Sequence, residues 1–354
     1  MKILALDLGK YKTVGCEYEA ENGQHKFHSL ATRAQAIHDL LVEVEPDRVV
    51  IEICSIAGWV SDLVQSLEIE LQVANPSDDA WRWRKVKKKN DRQDALKAAQ
   101  LSAVNQLRTV HVPESETRQW RALIGYRQKL VWRRTKLKNH IRDLVMREGE
   151  LLPRGDKCWS KVGLAALQEM ARPLWAVEMN ELWRGELGSE LEQLRETQQQ
   201  LQTVEEKLNQ IGAADERVKR LRTAPGVGPR LAEAVVALID QPQRFKTTRE
   251  VSAYIGMVPK QLDSGETERR GRITRQGNRL VRSLLVEVAW AGLRHNPWAR
   301  ETYQRISGGK KSRKKIAIVA VGRKLLGRCW AMLRDESDWR SVKAKPEPAT
   351  SAAA

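Results

Sequence analysis

The sequence predicts a multidomain protein in which an α/β N-terminal domain is followed by a mostly helical remainder. Three observations predict this fold class. Apolar runs rich in β-compatible residues alternate with helical stretches over residues 1–110, a pattern typical of a mixed sheet covered by helices. After Pro113 the pattern becomes helical and stays so. The 354 residues are also enough for two or three domains.

The first domain combines short strands with helices. Arg48–Cys54 is a nearly continuous apolar run, as expected of a strand that is buried on both faces. Asn90 is a good N-cap for a helix that begins at Asp91. The other predicted strands are Lys2–Leu8, Val14–Glu19, Lys26–Leu30 and Leu71–Ala74, and the other predicted helices are Thr32–Val44 and Ile56–Leu67.

The middle of the chain predicts two long helical segments. Arg118–Arg147 carries ten basic residues and one acid. Further on, apolar residues recur at alternating three- and four-residue steps, which is typical of a coiled coil or a long helical hairpin. We expect this heptad seam to contribute to self-association. It consists of Leu187, Leu191, Leu194, Leu201, Val204, Leu208 and Ile211, with Gln198 in the gap of the series.

These patterns divide the chain into five parts. Residues 1–110 are the α/β domain, 111–180 a basic helical connector and 181–215 the coiled coil. Residues 216–335 form a second compact unit. Residues 336–354 form a tail, expected to be disordered because its end, Lys343–Ala354, has no large apolar residue.

Charge indicates a polyanionic partner. The chain has 62 Lys and Arg against 45 Asp and Glu, a net charge of +17, and an isoelectric point near 9.8 with the basic residues in clusters. No apolar run is long enough for a membrane span, and the first ten residues are not expected to form a secretory signal. The four cysteines are scattered, which argues against disulfides or zinc and favours a cytoplasmic location.

Four carboxylates are candidate catalytic and metal-binding residues. Asp7 and Glu52 each interrupt an apolar strand, where an unpaired carboxylate would cost several kcal/mol. Asp91 and Asp94 share one face of the first turn of a helix whose continuation, Ala98 and Leu101, would pack on the sheet. Acids at a helix N-terminus also simply complement the helix dipole. Together the four supply hard oxygen donors that suit Mg²⁺ or Mn²⁺, and two such ions could clamp a phosphodiester.

A basic and aromatic run lies just before the two aspartates. It contains two tryptophans and a cluster of cations that could hold phosphates and stack bases, although alone it would be a solvated loop. The candidate nucleic-acid-binding residues in this run are Arg82, Arg84, Lys87, Lys88 and Lys89.

The C-terminal part offers a second set of phosphate ligands. Gly226 and Gly228 precede an apolar helix, as in the hairpin of helix-hairpin-helix DNA-binding modules, or as in a plain interhelical turn. Ser264 lies next to a glycine and before a run of arginines that could stabilise charge on a phosphate. No histidine lies nearby in the sequence to activate the serine, so the base that would take its proton is not identified. The candidate binding residues of this run are Arg269, Arg270, Arg272, Arg275, Asn278 and Arg279.

An ordered set of motifs resembles the DEDD transposases of the IS110 insertion-sequence group, which are related to Piv-type site-specific invertases. The N-terminal motifs are Leu6–Gly9, Ile51–Glu52 and Asp91–Ala95. The C-terminal motifs are Pro225–Pro229, Ala253–Pro259, Ser264–Gly265 and Gly271–Asn278. The set extends from about residue 1 to residue 335, and its order and spacing are more specific than any one motif.

The resemblance implies an RNase H-like (RuvC-like) N-terminal domain, a coiled-coil connector and a C-terminal transposase domain. It places Asp7, Glu52, Asp91 and Asp94 on the metal-binding carboxylates of the family. It also implies that a C-terminal serine attacks DNA covalently, for which Ser264 is the best match and Ser252 the second. A guiding structured non-coding RNA and a dimer or tetramer are further implications.

Two other functions remain open at this point. A metal-dependent nuclease or junction resolvase of the RNase H class would use the four carboxylates and activated water, and would not need Ser264. A non-catalytic nucleic-acid-binding scaffold would need neither the four carboxylates nor Ser264. This alternative, however, leaves Asp7 and Glu52 in apolar strands without a cation.

Overall fold

The computed structural model describes residues 1–75, 90–264 and 267–340, and only the backbone of residues 261–264 and 267–270. The chain forms two compact units, the first ending at Gln119 and the second beginning at Trp120. The predicted parts 111–180, 181–215 and 216–335 therefore fall almost entirely within the second unit. Within the described ranges, no helix combines the length and apolar character needed to cross a membrane.

The first unit is built on a five-stranded mixed sheet, as predicted. The strands are β1 (Lys2–Leu8), β2 (Lys12–Glu19), β3 (His25–Ala31), β4 (Arg48–Glu52) and β5 (Glu70–Ala74). Their order is β3-β2-β1-β4-β5. The first three form an antiparallel meander, while β4 pairs in parallel with both β1 and β5.

Helices cover the two faces of this sheet, because alternate residues of each strand point to opposite sides. One face packs Leu4, Leu6 and Ile51 against α1 (Ala34–Val44) and α2 (Ala57–Ser66). The other face carries Ile3, Ala5 and Val50 and packs against α3 (Asp91–Ala103) through Ala98 and Ala99. The small side chains of α3 let this helix lie close to the sheet.

The second unit is mostly helical, also as predicted. Its first helices are α4 (Ser115–Arg147), which starts in the first unit, α5 (Lys161–Met170) and α6 (Leu182–Ala214). Then come α7 (Glu216–Arg222), α8 (Pro229–Ile239), α9 (Thr248–Tyr254), α10 (Arg279–His295), α11 (Pro297–Ser307) and α12 (Lys314–Arg334). Between α9 and α10 the chain forms a hairpin of β6 (Pro259–Ser264) and β7 (Thr267–Ile273).

Helices α4 and α6 form an antiparallel hairpin within one chain. The start of α4 packs on the end of α6, with Trp120 and Ile124 in one core with Leu208. The end of α4 packs on the start of α6, with Ile141 beside Leu187. The heptad seam is thus buried inside the chain, so the hairpin is the alternative that the structure supports. Self-association through this seam stays untested, and it would require the hairpin to open.

The gap in the heptad series is filled by Thr197 and not, as the sequence predicts, by Gln198. Thr197 is 1% exposed and occupies the seam, whereas Gln198 is only half-buried. The Thr197 hydroxyl has no hydrogen-bond partner among the described residues. A buried hydroxyl of this kind lowers stability, which is the effect that the sequence attributes to Gln198.

Helix α8 is the centre of the second unit. All nine residues from Leu231 to Ile239 are buried, which is typical of a helix surrounded on all sides by protein. Its core includes Trp330 of α12 and Leu285 of α10. Residues 336–340, which the sequence assigns to the tail, also pack here: the Trp339 ring meets Trp298 edge-on at 5.4 Å.

Candidate functional site

The sheet register brings Asp7 and Glu52 next to each other. Leu6 of β1 pairs with Ile51 of the parallel strand β4, so the next position along both strands holds Asp7 and Glu52. Both follow, two residues on, the side chains that pack on α3, namely Ala5 and Val50. They therefore lie on the α3 side of the sheet, at the carboxyl ends of two adjacent strands.

Helix α3 runs antiparallel to these strands, which takes its first turn to the same edge. Its last turn is fixed at the amino end of β4, where Arg48 Nη1 is 3.4 Å from Ser102 Oγ. From Ser102 back to Asp94 is eight residues, about 12 Å of helix, and from Arg48 to Glu52 is about 13 Å of strand. Asp94 consequently reaches the level of Glu52.

The N-terminus of α3 is fixed as the sequence predicts. Asn90 caps the helix, its side-chain oxygen accepting a hydrogen bond from the Gln93 N–H at 2.8 Å. On the face that carries Asp91 and Asp94, Ala98 is buried as predicted, whereas Leu101 is only half-buried and Ser102 takes the deeper place. We call the set Asp7, Glu52, Asp91 and Asp94 the carboxylate edge.

The carboxylate edge is accessible from solvent. Asp7, Glu52 and Asp94 are half-buried and Asp91 is exposed. Across the described ranges, no three Asp, Glu, His or Cys side chains are grouped closely enough to hold a metal ion. The donor set consists of hard carboxylate oxygens, which fits Mg²⁺ or Mn²⁺, but binding of an ion would have to draw the side chains together.

A large groove in the second unit collects the predicted glycine turn and part of the arginine run. We call it the arginine groove; its volume is about 1220 Å³. Gly228, the N-cap of α8, opens on it, and a Cβ added there would meet nothing within 4 Å. The cations and large aromatic residues that line it are Arg127, Arg230, Arg275, Arg279, Arg282, Trp132 and Trp290. It is thus a basic surface with aromatic side chains, which suits nucleic acid.

A tight backbone crossing positions the arginines of this groove. Gly256 has φ +70°, and a Cβ on it would clash with the Gln276 carbonyl oxygen. Gly277 has φ +90°, and a Cβ on it would clash with the Tyr254 carbonyl oxygen. Arg282 ties the crossing together, donating to the carbonyl oxygen of Ile255 at 2.7 Å and of Gly277 at 3.0 Å. Only glycine fits two such positions.

Two residues of the predicted binding run have defined structural contacts. Asn278 is the N-cap of α10, its side-chain oxygen accepting from the Val281 N–H at 3.1 Å, which gives it a structural role. The Arg279 guanidinium lies 5.9 Å from the centre of the Trp132 ring on α4. Arg272 is exposed and does not line the groove.

The two candidate nucleophiles differ in their surroundings. Ser264 is the last residue of β6, and its backbone pairs with Thr267 of β7. Ser252 lies in α9, 4% exposed, and donates its hydroxyl hydrogen to the Thr248 carbonyl at 2.7 Å. This back-bond gives Ser252 a structural role. The side chains of Ser264, Arg269 and Arg270, and the whole of Arg82, Arg84 and Lys87–Lys89, lie outside the described residues.

Sequence reasoning missed several cations of the arginine groove. Arg127 comes from α4, where it is one of the ten basic residues of Arg118–Arg147 and nothing local distinguishes it from the others, and Arg230 comes from the first turn of α8. For Arg230 a signal was available, because it follows directly on the glycine turn that was already a candidate phosphate ligand. Gly226 differs from Gly228, because it faces Gly292 of α10 and not the groove. Its φ of +87° allows the backbone to turn at this position.

Behind the groove, Arg230 contacts a buried acid. Its Nη2 is 3.2 Å from Oε1 of Glu233, which is 1% exposed. Burial raises the pKa of Glu233 to about 7, although Arg230, Arg127 and Arg222 favour its charged form. Burial therefore outweighs the attraction of the three cations in this environment.

We expect the stability of the second unit to depend on pH through Glu233. Because its pKa in the folded state is raised above the ordinary 4.5, the free energy of unfolding should fall as the pH rises from 4.5 to 7, by on the order of 2–3 kcal/mol. Glu233→Gln should flatten this dependence, while Glu196→Gln on the exposed face of α6 should leave it unchanged. Denaturant unfolding at a series of pH values tests this, and the same curve for the wild type and Glu233→Gln would contradict it.

Comparison with known proteins gives matches over most of the chain. A model of the DEDD domain of IS110 transposases, described as Transposase, matches residues 4–148. A second model, described as Transposase IS116/IS110/IS902 family, matches residues 218–304. The first match includes all four residues of the carboxylate edge, and the second includes Ser264 and all the predicted C-terminal binding residues.

Individual relatives agree with these matches. The transposase for insertion sequence element IS1111A of Coxiella burnetii is 28% identical over 349 residues, which are 96% of this chain and 92% of that protein. A Pseudomonas aeruginosa protein named as a family 20 transposase is 29% identical over 320 residues, 87% of this chain and 90% of its own length. A Sinorhizobium fredii protein named as a transposase is 29% identical over 274 residues, 73% of this chain and 66% of its own length. Since the two family models together cover more than half of the chain, this protein belongs to the IS116/IS110/IS902 family of transposases, enzymes of DNA recombination.

Proposed function

We propose that this transposase cuts and rejoins the DNA of its insertion element with a carboxylate-bound Mg²⁺ or Mn²⁺ and with Ser264 as nucleophile. The observation that carries the proposal is the convergence of Asp7, Glu52 and the first turn of α3 at one edge of the sheet. The four residues offer hard carboxylate oxygens along this edge, the donor type that Mg²⁺ and Mn²⁺ prefer. The match to the DEDD transposase domain supports a divalent metal at these residues.

The proposed chemistry at Ser264 is a transesterification. The serine Oγ attacks the phosphorus of a DNA phosphodiester, a serine–phosphate bond forms, and the bond to the departing strand end breaks. The hydroxyl proton goes to a base, and the strand end leaves as an alcohol. Attack by the end of another strand reverses the step and releases the serine, so the DNA is rejoined without an external energy source.

The metal and the arginines would stabilise negative charge on the attacked phosphate. Asp7, Glu52, Asp91 and Asp94 would hold the divalent ion, and the ion would supply electrostatic stabilisation of the phosphate oxygens. The backbone of Arg269 lies two residues, about 7 Å, beyond Thr267, the residue that pairs with Ser264. The hairpin therefore brings arginine positions close to the serine, where they could stabilise the same kind of charge. The segment from Tyr254 to Arg294 has no histidine, so a histidine base would have to come from elsewhere in the sequence.

DNA binding by the arginine groove follows from its charge. We expect the affinity for duplex DNA to fall by two or more orders of magnitude between 50 mM and 200 mM salt, because each phosphate contact releases counterions. Arg275→Gln with Arg279→Gln should weaken binding and lower the slope of log affinity against log salt by about 2. A fluorescence titration at several salt concentrations measures both. A slope near zero for the wild type would exclude phosphate contacts as the source of affinity.

An RNA partner and a homo-oligomer are part of the same proposal. A structured non-coding RNA would need a basic surface besides the one that holds DNA, and the surplus of 17 positive charges is large enough for both. Unless the hairpin of α4 and α6 opens, a dimer or tetramer would assemble through residues other than the heptad seam, since the seam side chains pack within the chain.

The metal requirement has a direct test. Strand cleavage and strand transfer on the element's own DNA should stop in EDTA and return with Mg²⁺ or Mn²⁺. Asp7→Asn should remove activity by about 1,000-fold or more while the fold is kept, because the amide has the same shape as the carboxylate but no charge. Asp39→Asn, on the exposed side of α1, is the matched control and should be fully active. Activity in EDTA would overturn the metal proposal.

A further inference from the structure

A second basic pocket in the second unit is separate from the arginine groove. It lies among α9, α11 and α12 and has a volume of about 560 Å³. We call it the α12 recess. Five cations line it, namely Arg249, Arg305, Arg323, Lys324 and Arg328. In the described part of the chain, Asp and Glu are absent from its lining. Five like charges around one pocket repel each other, so an anion bound there would relieve the repulsion.

Four chain segments form the recess, which makes it a defined cavity. Thr248 and Ser252 of α9 face Gly327 of α12, and a Cβ on Gly327 would lie 3.2 Å from Thr248 Cγ2. Glycine at this position therefore lets the two helices approach. Trp298 and Thr302 of α11 complete the wall.

Arg328 is a fixed positive charge in that wall. Its guanidinium carbon lies 3.7 Å from the centre of the Trp339 ring and 5.0 Å from that of Trp298, and its Nη2 donates to the Arg340 carbonyl at 2.7 Å. Its Nη1 is buried and has no hydrogen-bond partner among the described residues. Stacking holds the charge in place, while Arg305 and Lys324 are exposed and able to contact a ligand.

The recess and the arginine groove lie along one face of α12. Val319 lines the groove and Arg323 lines the recess, and these two residues are four apart, about 6 Å along the helix on the same side. In the segment after α9, Met257 lines the groove and the next residue, Val258, lines the recess. A single extended polyanion could therefore occupy both.

We propose that the α12 recess is a second phosphate-binding site, which holds the backbone of the same nucleic acid strand that lies in the arginine groove. This inference rests on the proposed binding of nucleic acid by the groove. Arg305 and Arg323 would contact phosphates that lie outside the groove, so that the enzyme holds one strand at two places.

The test compares three pairs of substitutions of equal charge change. The recess pair is Arg305→Gln with Arg323→Gln, the groove pair is Arg275→Gln with Arg279→Gln, and the control pair is Arg195→Gln with Lys207→Gln on the exposed side of α6. Affinity and salt slope are measured for single-stranded DNA and for RNA, each as a short oligonucleotide of two nucleotides with one linking phosphate and as a long one of about 20 nucleotides, and for a duplex DNA of about 20 base pairs.

With the long oligonucleotides, the recess pair should lose about 10- to 100-fold in affinity, and its salt slope should fall by about 1–2. With the short ones it should bind nearly like the wild type, because a single linking phosphate cannot lie in the groove and in the recess at once. The charge-preserving pair Arg305→Lys with Arg323→Lys should keep the wild-type slope, and a thermal melt of each variant confirms folding.

Three other results would each contradict a specific part of the proposal. If the recess pair behaves like the control pair at every length, the second phosphate site is wrong, while a loss in the groove pair would still support nucleic-acid binding by the groove. If the recess pair loses affinity for the short oligonucleotides too, the shared strand is wrong. If neither the groove pair nor the recess pair differs from the control, the proposed function of the groove fails as well.

Discussion

The wild-type protein, incubated with its element's DNA and Mg²⁺ and then denatured in detergent, should carry covalently linked DNA, and Ser264→Ala should carry none. The physical reason is that the serine–phosphate ester survives denaturation, whereas alanine has no atom that can form it. Strand transfer should fall by about 1,000-fold or more. Asp7→Ala should also lose the adduct, because without the carboxylate edge the phosphate charge is not stabilised.

A matched control removes a serine hydroxyl that donates a hydrogen bond to a carbonyl of its own helix. Ser189 of α6 donates to the Gly185 carbonyl at 3.2 Å, and Ser189→Ala should form the adduct like the wild type. Two outcomes would contradict the assignment. Cleaved DNA without an adduct, with Ser264→Ala still active, would identify a metal-dependent nuclease. Loss of the adduct in Ser252→Ala but not in Ser264→Ala would move the nucleophile to α9.

The sheet of the first unit could be predicted because its elements are defined by local apolar patterns. The run at Val49–Ile51 is buried to 1% or less, as its composition indicates. The β6–β7 hairpin was not predicted, since its two strands, Pro259–Ser264 and Thr267–Ile273, are polar and charged and carry no apolar alternation. Its base is fixed by the crossing of Gly256 and Gly277, a tertiary contact that sequence spacing does not show.

The candidate site was predictable where a residue type conflicts with its local pattern. Asp7 and Glu52 stand out because a carboxylate in an apolar strand is costly. The α12 recess gives no such signal, because its cations come from α9, α11 and α12 and meet only in the folded unit. Asn278 shows the reverse case: it was grouped with phosphate ligands for its place in the basic run, and its oxygen caps α10.

The heptad seam illustrates a different limit. The spacing of Leu187, Leu194 and Leu201 specifies that a helix packs along this stripe, but not which helix occupies it. The helix that does is α4, whose Leu137 and Ile141 are in one core with Leu187 and Leu194. Polar contacts agree with this arrangement, for Arg127 Nη2 lies 2.6 Å from Glu205 Oε1 and His140 Nε2 lies 3.0 Å from Glu186 Oε1.

We therefore expect Leu194→Lys to unfold the hairpin instead of dissociating an oligomer. Leu194 is 1% exposed, so the change removes a buried leucine and buries an unpaired ammonium, at a cost of about 4–5 kcal/mol. The thermal midpoint should fall by 10 °C or more, on the order expected for that cost. Glu196→Lys, two residues on at an exposed position, introduces the same ammonium and should leave the midpoint within a few degrees. Calorimetry with light scattering on both variants separates the cases: a Leu194→Lys protein with the wild-type midpoint but a lower mass would show that the seam joins two chains, and that the intramolecular hairpin is wrong.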